Sequence, residues 1–190
     1  MSYGSAMAIH AGRHRIGPDN GRITLRTSRD GLVAQAGHDL TIDAARWSGD
    51  LVVGADLSPT SLEVTVDLGE LVVLTGSGGI VPLTDRDKRE ITGTARKVLA
   101  ADRHPEATFT ATSFEPSGDG GTITGTLTLA GRSRPVQLEV SQTAPDHYQA
   151  TATIRQTDYG IKPYSAFLGT LKVSDAVKVD IDLDLSQLTG

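Results

Sequence analysis

A long run of alternating apolar and polar residues, from His104 to Val140, constrains the fold of this chain most strongly. Its first part places Ala107, Phe109 and Ala111 on one face of an extended chain and threonines on the other. Turn-forming glycines follow, and two further alternating runs continue to the end of the stretch. Because one face needs a core while the other tolerates water, the sequence predicts an antiparallel meander of at least three strands.

Shorter alternating runs on both sides extend this pattern over most of the chain. A turn is predicted at Gly49 and Asp50, where two small or polar residues interrupt an apolar run. Another strand is predicted to begin at Leu171. We interpret as further strands residues 22–29, 32–36, 40–47, 51–56, 61–68, 147–156 and 177–185.

One segment, residues 84–101, has the periodicity of a helix instead. The Thr84 hydroxyl is placed to cap its first turn, and the helix is predicted to stop before Pro105. An apolar stripe along this helix must pack on the sheet or at the mouth of a barrel. It consists of Ile91, Ala95, Val98 and Leu99.

The composition is that of a single globular domain. With 190 residues, a net charge of −5 and no cysteine, nothing indicates a nucleic-acid surface, a disulfide framework or a thiolate metal site. We interpret residues 1–20 as a flexible leader and residues 21–190 as the barrel domain. The first residues lack the continuous apolar core of a secretory signal, and no run reaches the length of a membrane span, so we expect a cytoplasmic location.

Several motifs together resemble one bacterial family. HPEATFTATSFE and GTITGTLTLAGRSRPVQLEV are similar to the central strands of the YceI-like family, and VPLTDRDKREITGTARKVLAADRHP resembles the helix that precedes them. ATIRQTDYGIKPYSAFLGTLKVSDAVKVDIDLDL resembles the closing segment, so the likeness covers about residues 22–186. The resemblance implies a mainly all-β, lipocalin-like antiparallel barrel of about eight strands with one main helix. It also implies binding of a polyisoprenoid chain in the lumen, as in some members.

The inward rows of such a barrel supply the candidate ligand-binding residues. Apolar, inward side chains could line a lumen or fill a closed core, and the sequence leaves both readings open. The candidates are Val64, Val66, Phe109, Ala111, Ile123, Leu127, Leu129, Ala152, Ile154, Val179 and Ile181.

A second set of candidates lies in the segment that resembles the family's "Rxdf/yG" motif. Arg155, Asp158 and Tyr159 match that segment and could shape one end of the cavity and meet a ligand head group. The structural alternative is a turn in which Arg155 pairs with Asp158 and Gly160 takes a positive φ.

No catalytic, metal or cofactor constellation emerges from the residue spacing. His38 and His147 would be the places to look for a base in the lumen, while the row Asp180, Asp182 and Asp184 fits a solvated outer face. We therefore expect a non-enzymatic protein that binds, sequesters or transports a long apolar lipid, either isoprenoid, quinone-like or fatty acyl. The alternatives are a closed-barrel, stress-related interaction protein, with a homodimer through an edge strand left open, and an enzyme acting on an isoprenoid or quinone precursor.

Overall fold

A computed structural model describes residues 9–31 and 34–188 of the chain. This part of the chain contains fourteen strands and one α-helix, together with short 3₁₀ turns. In chain order they are β1 Gly12–Ile16, β2 Gly21–Arg26, β3 Arg29–Asp30, β4 Asp39–Ala44, β5 Trp47–Val53, β6 Pro59–Asp67, β7 Leu71–Ser77, α1 Asp85–Val98, β8 Glu106–Ser117, β9 Gly120–Leu129, β10 Arg132–Ala144, β11 His147–Arg155, β12 Ser165–Ala166, β13 Leu171–Val173 and β14 Ala176–Asp184.

Eleven of the described strands form one antiparallel sheet that curls around an apolar interior. Its order is β1-β5-β6-β8-β9-β10-β11-β14-β2-β4-β7, and β12, β13 and β3 form a small second sheet beside it. The fold class predicted from the sequence is therefore confirmed. The fourteen described strands exceed the roughly eight that the family resemblance implied, in part because they include the two-residue strands β3 and β12.

The central meander is the predicted one. Strands β8, β9 and β10 pair as two successive hairpins, and the threonine rows face outward. A β-bulge interrupts β8 between Ala111 and Ser113. Because a bulge adds one residue to a strand, it reverses which later side chains face the interior, and Phe114 rather than Ser113 lines the barrel.

The first half of the chain departs from prediction at β4 and β5. Residues 40–47 were expected as one strand followed by a turn at Gly49 and Asp50, but β4 ends at Ala44 and both residues lie inside β5. Gly49 serves close packing rather than a turn, since a Cβ there would lie 2.9 Å from Ile16 Cγ1. In the strand predicted over 32–36, the first two residues lie outside the described part, and residues 34–36 form a 3₁₀ turn.

Strand β1 was not predicted, because residues 1–20 were assigned to a flexible leader. Gly12 to Ile16 pair with Val53 to Gly49 of β5, and Ile16 is buried in the core. Residues 1–8 of the predicted leader lie outside the described residues.

The helix begins as predicted and ends earlier. Thr84 caps α1 in a capping box, in which its hydroxyl accepts from the Asp87 backbone N–H while the Asp87 carboxylate accepts from the Thr84 N–H. The helix ends at Val98 and not at the predicted Ala101, because Ala100 takes a left-handed φ of 53°. Helix α1 packs against β7 and turns its apolar stripe toward the barrel interior.

Candidate functional site: an apolar cavity

The curled sheet encloses a cavity of about 610 Å³. Inward side chains of the large sheet form its walls, and α1 covers part of it with the predicted stripe Ile91, Ala95, Val98 and Leu99. Almost all the lining side chains are aliphatic or aromatic. The cavity lies within the range of about 300–1,000 Å³ that is usual for small-molecule sites.

The structure places ten of the eleven lumen candidates on the cavity wall. Ala111 is the exception, since it packs against the Phe109, Leu138 and Ala152 cluster but does not line the cavity. It lies at the β8 bulge, where the inward alternation shifts. The ten residues on the wall are Val64, Val66, Phe109, Ile123, Leu127, Leu129, Ala152, Ile154, Val179 and Ile181.

Gly125, which has no side chain, makes room in the wall for Phe109, the largest of these candidates. Gly125 faces Phe109, and a Cβ on Gly125 would overlap the tip of the Phe109 ring. Gly125 therefore leaves the space that the tip of the phenyl ring occupies.

Sequence reasoning missed several of the wall residues. Trp47 is buried and lines the cavity, but its strand had been divided by a predicted turn. Phe114 faces inward only because of the bulge. Strict two-residue alternation could not have found either position.

One end of the cavity, which we call the mouth, carries polar side chains. The β3, β12 and β13 sheet and the loop of residues 78–84 meet there, and the cavity is lined by Thr27, Arg29, His38, Gln156, Tyr164 and Lys172. The Arg29 guanidinium donates to the carbonyl oxygens of Gly37 (2.8 Å) and Gly78, and it lies 3.7 Å from the Asp39 carboxylate. Because its hydrogen bonds go to the protein, Arg29 ties the loops of the mouth together.

His38 has a similar tying role at the mouth. Its Nε2 lies 2.7 Å from the carbonyl oxygen of Val81, and a Cβ on Gly79 would overlap its ring. The other histidine considered as a base, His147, is outside the cavity, 3.8 Å from Asp184 on the outer face of β14. His38 is thus the one of these two histidines that reaches the lumen.

The turn after β11 agrees in part with the structural alternative considered for it. Arg155 Nη1 lies 4.0 Å from Asp175 Oδ2, so the predicted pair with Asp158 is wrong, whereas Gly160 has the predicted positive φ of 69°. Neither Arg155 nor Asp158 lines the cavity. Tyr159 is buried in an apolar cluster behind the cavity wall. Their role toward a ligand stays a prediction.

Within this turn, Gln156 lines the cavity. Its side chain is buried and donates from Nε2 to the carbonyl oxygen of Ser174 at 3.0 Å. The Asp175 carboxylate accepts from the Thr157 backbone N–H and from its hydroxyl, both at 2.8 Å, and holds the start of the turn. Gln156 thus adds an amide to the polar side chains at the mouth.

Asp175 gives this turn a pH dependence. The two hydrogen bonds from Thr157, with the nearby Arg155, lower the pKa of Asp175 below its ordinary value of 3.8. A lowered folded-state pKa contributes stability above 3.8 that is lost as the pH falls through the folded value. We expect Asp175→Asn to lower the melting temperature at neutral pH and to flatten its decline between about pH 5 and pH 3. Melting curves across this range test the prediction, and an unchanged steep decline in the variant would contradict it.

The described residues hold no group of three or more His, Asp or Glu side chains that could bind a metal ion. Two carboxylates of the outer Asp row have partners nearby. Asp180 forms ion pairs with Arg26 and Lys178, and Asp182 accepts a hydrogen bond from the Gln149 amide. No helix within residues 9–31 and 34–188 is long and apolar enough to cross a membrane.

A curled antiparallel sheet around an apolar cavity, with one helix packed against it, defines a barrel with an internal cavity. A model of the YceI-like domain matches residues 16–185, and the chain belongs to this family.

Individual relatives agree with this assignment. A UPF0312 protein of Pectobacterium atrosepticum is 36% identical over 72 residues, which cover 33% of this chain and 38% of the relative. Protein YceI of Escherichia coli is 34% identical over 88 residues, covering 42% and 44% of the two chains. The matches thus span less than half the length of these curated relatives.

Solved structures show the same fold at lower identity. BcnA of Burkholderia cenocepacia superposes with a TM-score of 0.61 at 14% identity, covering 86% of this chain and 94% of BcnA. A YceI protein of Campylobacter jejuni superposes with a TM-score of 0.54 at 17% identity, covering 72% and 78%.

Proposed function

We propose that the protein binds and carries a long apolar lipid, of isoprenoid or acyl character, in the lumen of its barrel. The observation that carries the proposal is the cavity of about 610 Å³ with an almost wholly apolar wall. A filled barrel would leave no such space. Because its wall is apolar, this cavity suits a ligand with a long apolar chain.

Burial supplies the affinity in this proposal. Each CH₂ group that leaves water contributes about 0.8 kcal/mol, so a chain of roughly 15–20 such groups gains about 12–16 kcal/mol, which can offset an association cost of about 4–15 kcal/mol. The polar contribution comes from the mouth and from Gln156, which can fix one end of a ligand. Tyr148 also lines the cavity, and burial raises the pKa of its phenol, so it stays a neutral hydrogen-bonding group.

The two alternative functions fit these observations less well. A closed-barrel interaction protein needs no cavity of this size. An enzyme acting on an isoprenoid or quinone precursor needs a reactive group aimed into the lumen, and His38 instead contacts the Val81 carbonyl at the mouth.

Native mass spectrometry of the protein purified from its own host tests the proposal. We expect a mass excess that corresponds to one bound lipid, and organic extraction should release a prenyl or acyl species for identification. A bare polypeptide mass under gentle conditions, persisting after incubation with added isoprenoids and long-chain fatty acids, would overturn the proposal.

A further inference from the structure

Four exposed apolar side chains surround the mouth of the cavity. We call Ile80, Val81, Tyr164 and Leu168 the apolar rim. Ile80 is 79% exposed, Val81 is 67% exposed and Leu168 is fully exposed. Among the large apolar side chains that the structure describes, these three are the most exposed, and all three lie at one end of the barrel.

Direct contacts connect the two halves of the rim. The loop that carries Ile80 and Val81 is held by His38, whose Nε2 lies 2.7 Å from the Val81 carbonyl oxygen. Gly37, the residue before His38, packs on the Leu171 side chain. Leu171 begins β13, directly after the turn that contains Leu168. Tyr164 joins the same group, because its carbonyl oxygen accepts from the backbone N–H of Val173 at 3.0 Å.

The backbone at Leu168 presents its side chain at a conformational cost. Leu168 has φ 56° and ψ 32°, a left-handed conformation that disfavours any side chain with a Cβ. Leu168 therefore combines a strained backbone with an exposed apolar side chain, and together with the exposed Ile80 and Val81 it forms a candidate contact surface.

The shape and charge of the rim favour a lipid bilayer as its partner. The side chains project from separate loops instead of forming a flat patch, and a fluid bilayer accepts such projections. Residues of both charges neighbour the rim along the chain, with Lys162 and Lys172 around Tyr164 and Leu168 and with Asp85 and Arg86 after Val81. Insertion of apolar side chains, and not attraction to anionic lipids, therefore provides the affinity.

We infer that the apolar rim docks the protein on a phospholipid bilayer, with the mouth facing the membrane. Arg29, His38, Tyr164 and Lys172 line the cavity at this mouth, so a ligand that leaves the bilayer between the rim side chains enters the lumen without crossing water. The docking rests on the proposed lipid-binding function.

Cosedimentation with neutral phosphatidylcholine vesicles tests the docking. The triple variant Ile80→Ser, Val81→Ser and Leu168→Asn should lose vesicle affinity by on the order of tenfold or more, since each lost side chain removes apolar burial. Asn tolerates the left-handed backbone at position 168, so this substitution spares the turn. The control Val72→Ser removes an apolar side chain that is 45% exposed on β7, away from the rim, and should retain wild-type affinity. The single variant Leu168→Asn provides a second test with minimal risk to folding.

A fluorescent long-chain fatty acid, titrated without vesicles, separates the docking from the lipid binding. We expect the wild type and the triple variant to bind this probe equally, while only the wild type exchanges it rapidly with vesicles. Wild-type protein that binds the probe but ignores neutral vesicles, or binds vesicles only when they are anionic and the salt is low, would overturn the docking and leave the lipid binding intact. Absence of probe binding in the wild type, together with a bare native mass, would instead contradict the lipid binding.

Discussion

Ala152→Trp should abolish lipid retention while leaving a folded β protein. Ala152 lines the cavity from the middle of β11, is 8% exposed, and packs with Phe109 and Leu138. An indole at this position would project into the space that the ligand is proposed to occupy. Native mass spectrometry after purification should show a bare chain, and circular dichroism should show an unchanged strand content.

The neighbouring residue provides a matched control. Thr153 follows Ala152 on the same strand and faces solvent, because side chains alternate along β11. Thr153→Trp adds the same indole to the outer surface and should retain the lipid at wild-type stoichiometry. Equal retention by both variants would mean that the ligand lies elsewhere, and equal loss would mean that the substitution acts through folding instead of through the lumen.

The two-residue period of the strands explains why ten of the eleven predicted lumen residues lie on the cavity wall. Each strand of this sheet buries one face, so polarity alone assigns Val179 and Ile181 of β14 to the interior and Lys178 and Asp180 to the exterior. The helix was equally readable, since the Thr84 cap and the apolar stripe are local signals.

The positions that the sequence did not predict depend on contacts between distant segments. The bulge at Ala111 reverses the alternation because of how β8 pairs with β9, which no local pattern shows. Gly49 looks like a turn residue and is instead a point of close approach to Ile16 in β1. The mouth depends on Arg29, whose hydrogen bonds reach Gly78, 49 positions along the chain.

Leu71→Ala should cause a large loss of stability. Leu71 is 1% exposed and begins β7, where it pairs with Ala44 and belongs to the core cluster that includes Trp47. Removing its isobutyl group forfeits the burial of those atoms and leaves a void that the stiff sheet cannot close, at a cost of about 2–5 kcal/mol. The free energy of unfolding from urea titrations, made on lipid-free protein, measures this cost.

The adjacent residue distinguishes core packing from a general effect on the edge strand. Val72 points to the opposite face of β7 and is 45% exposed, so Val72→Ala loses strand propensity but little burial and should cost about 1 kcal/mol or less. Costs of equal size at the two positions would show that Leu71 is not packed as described. A much larger cost at Leu71 than at Val72 would place the core of this end of the barrel at the junction of β4, β5 and β7. A three-residue 3₁₀ turn joins β6 to β7 there.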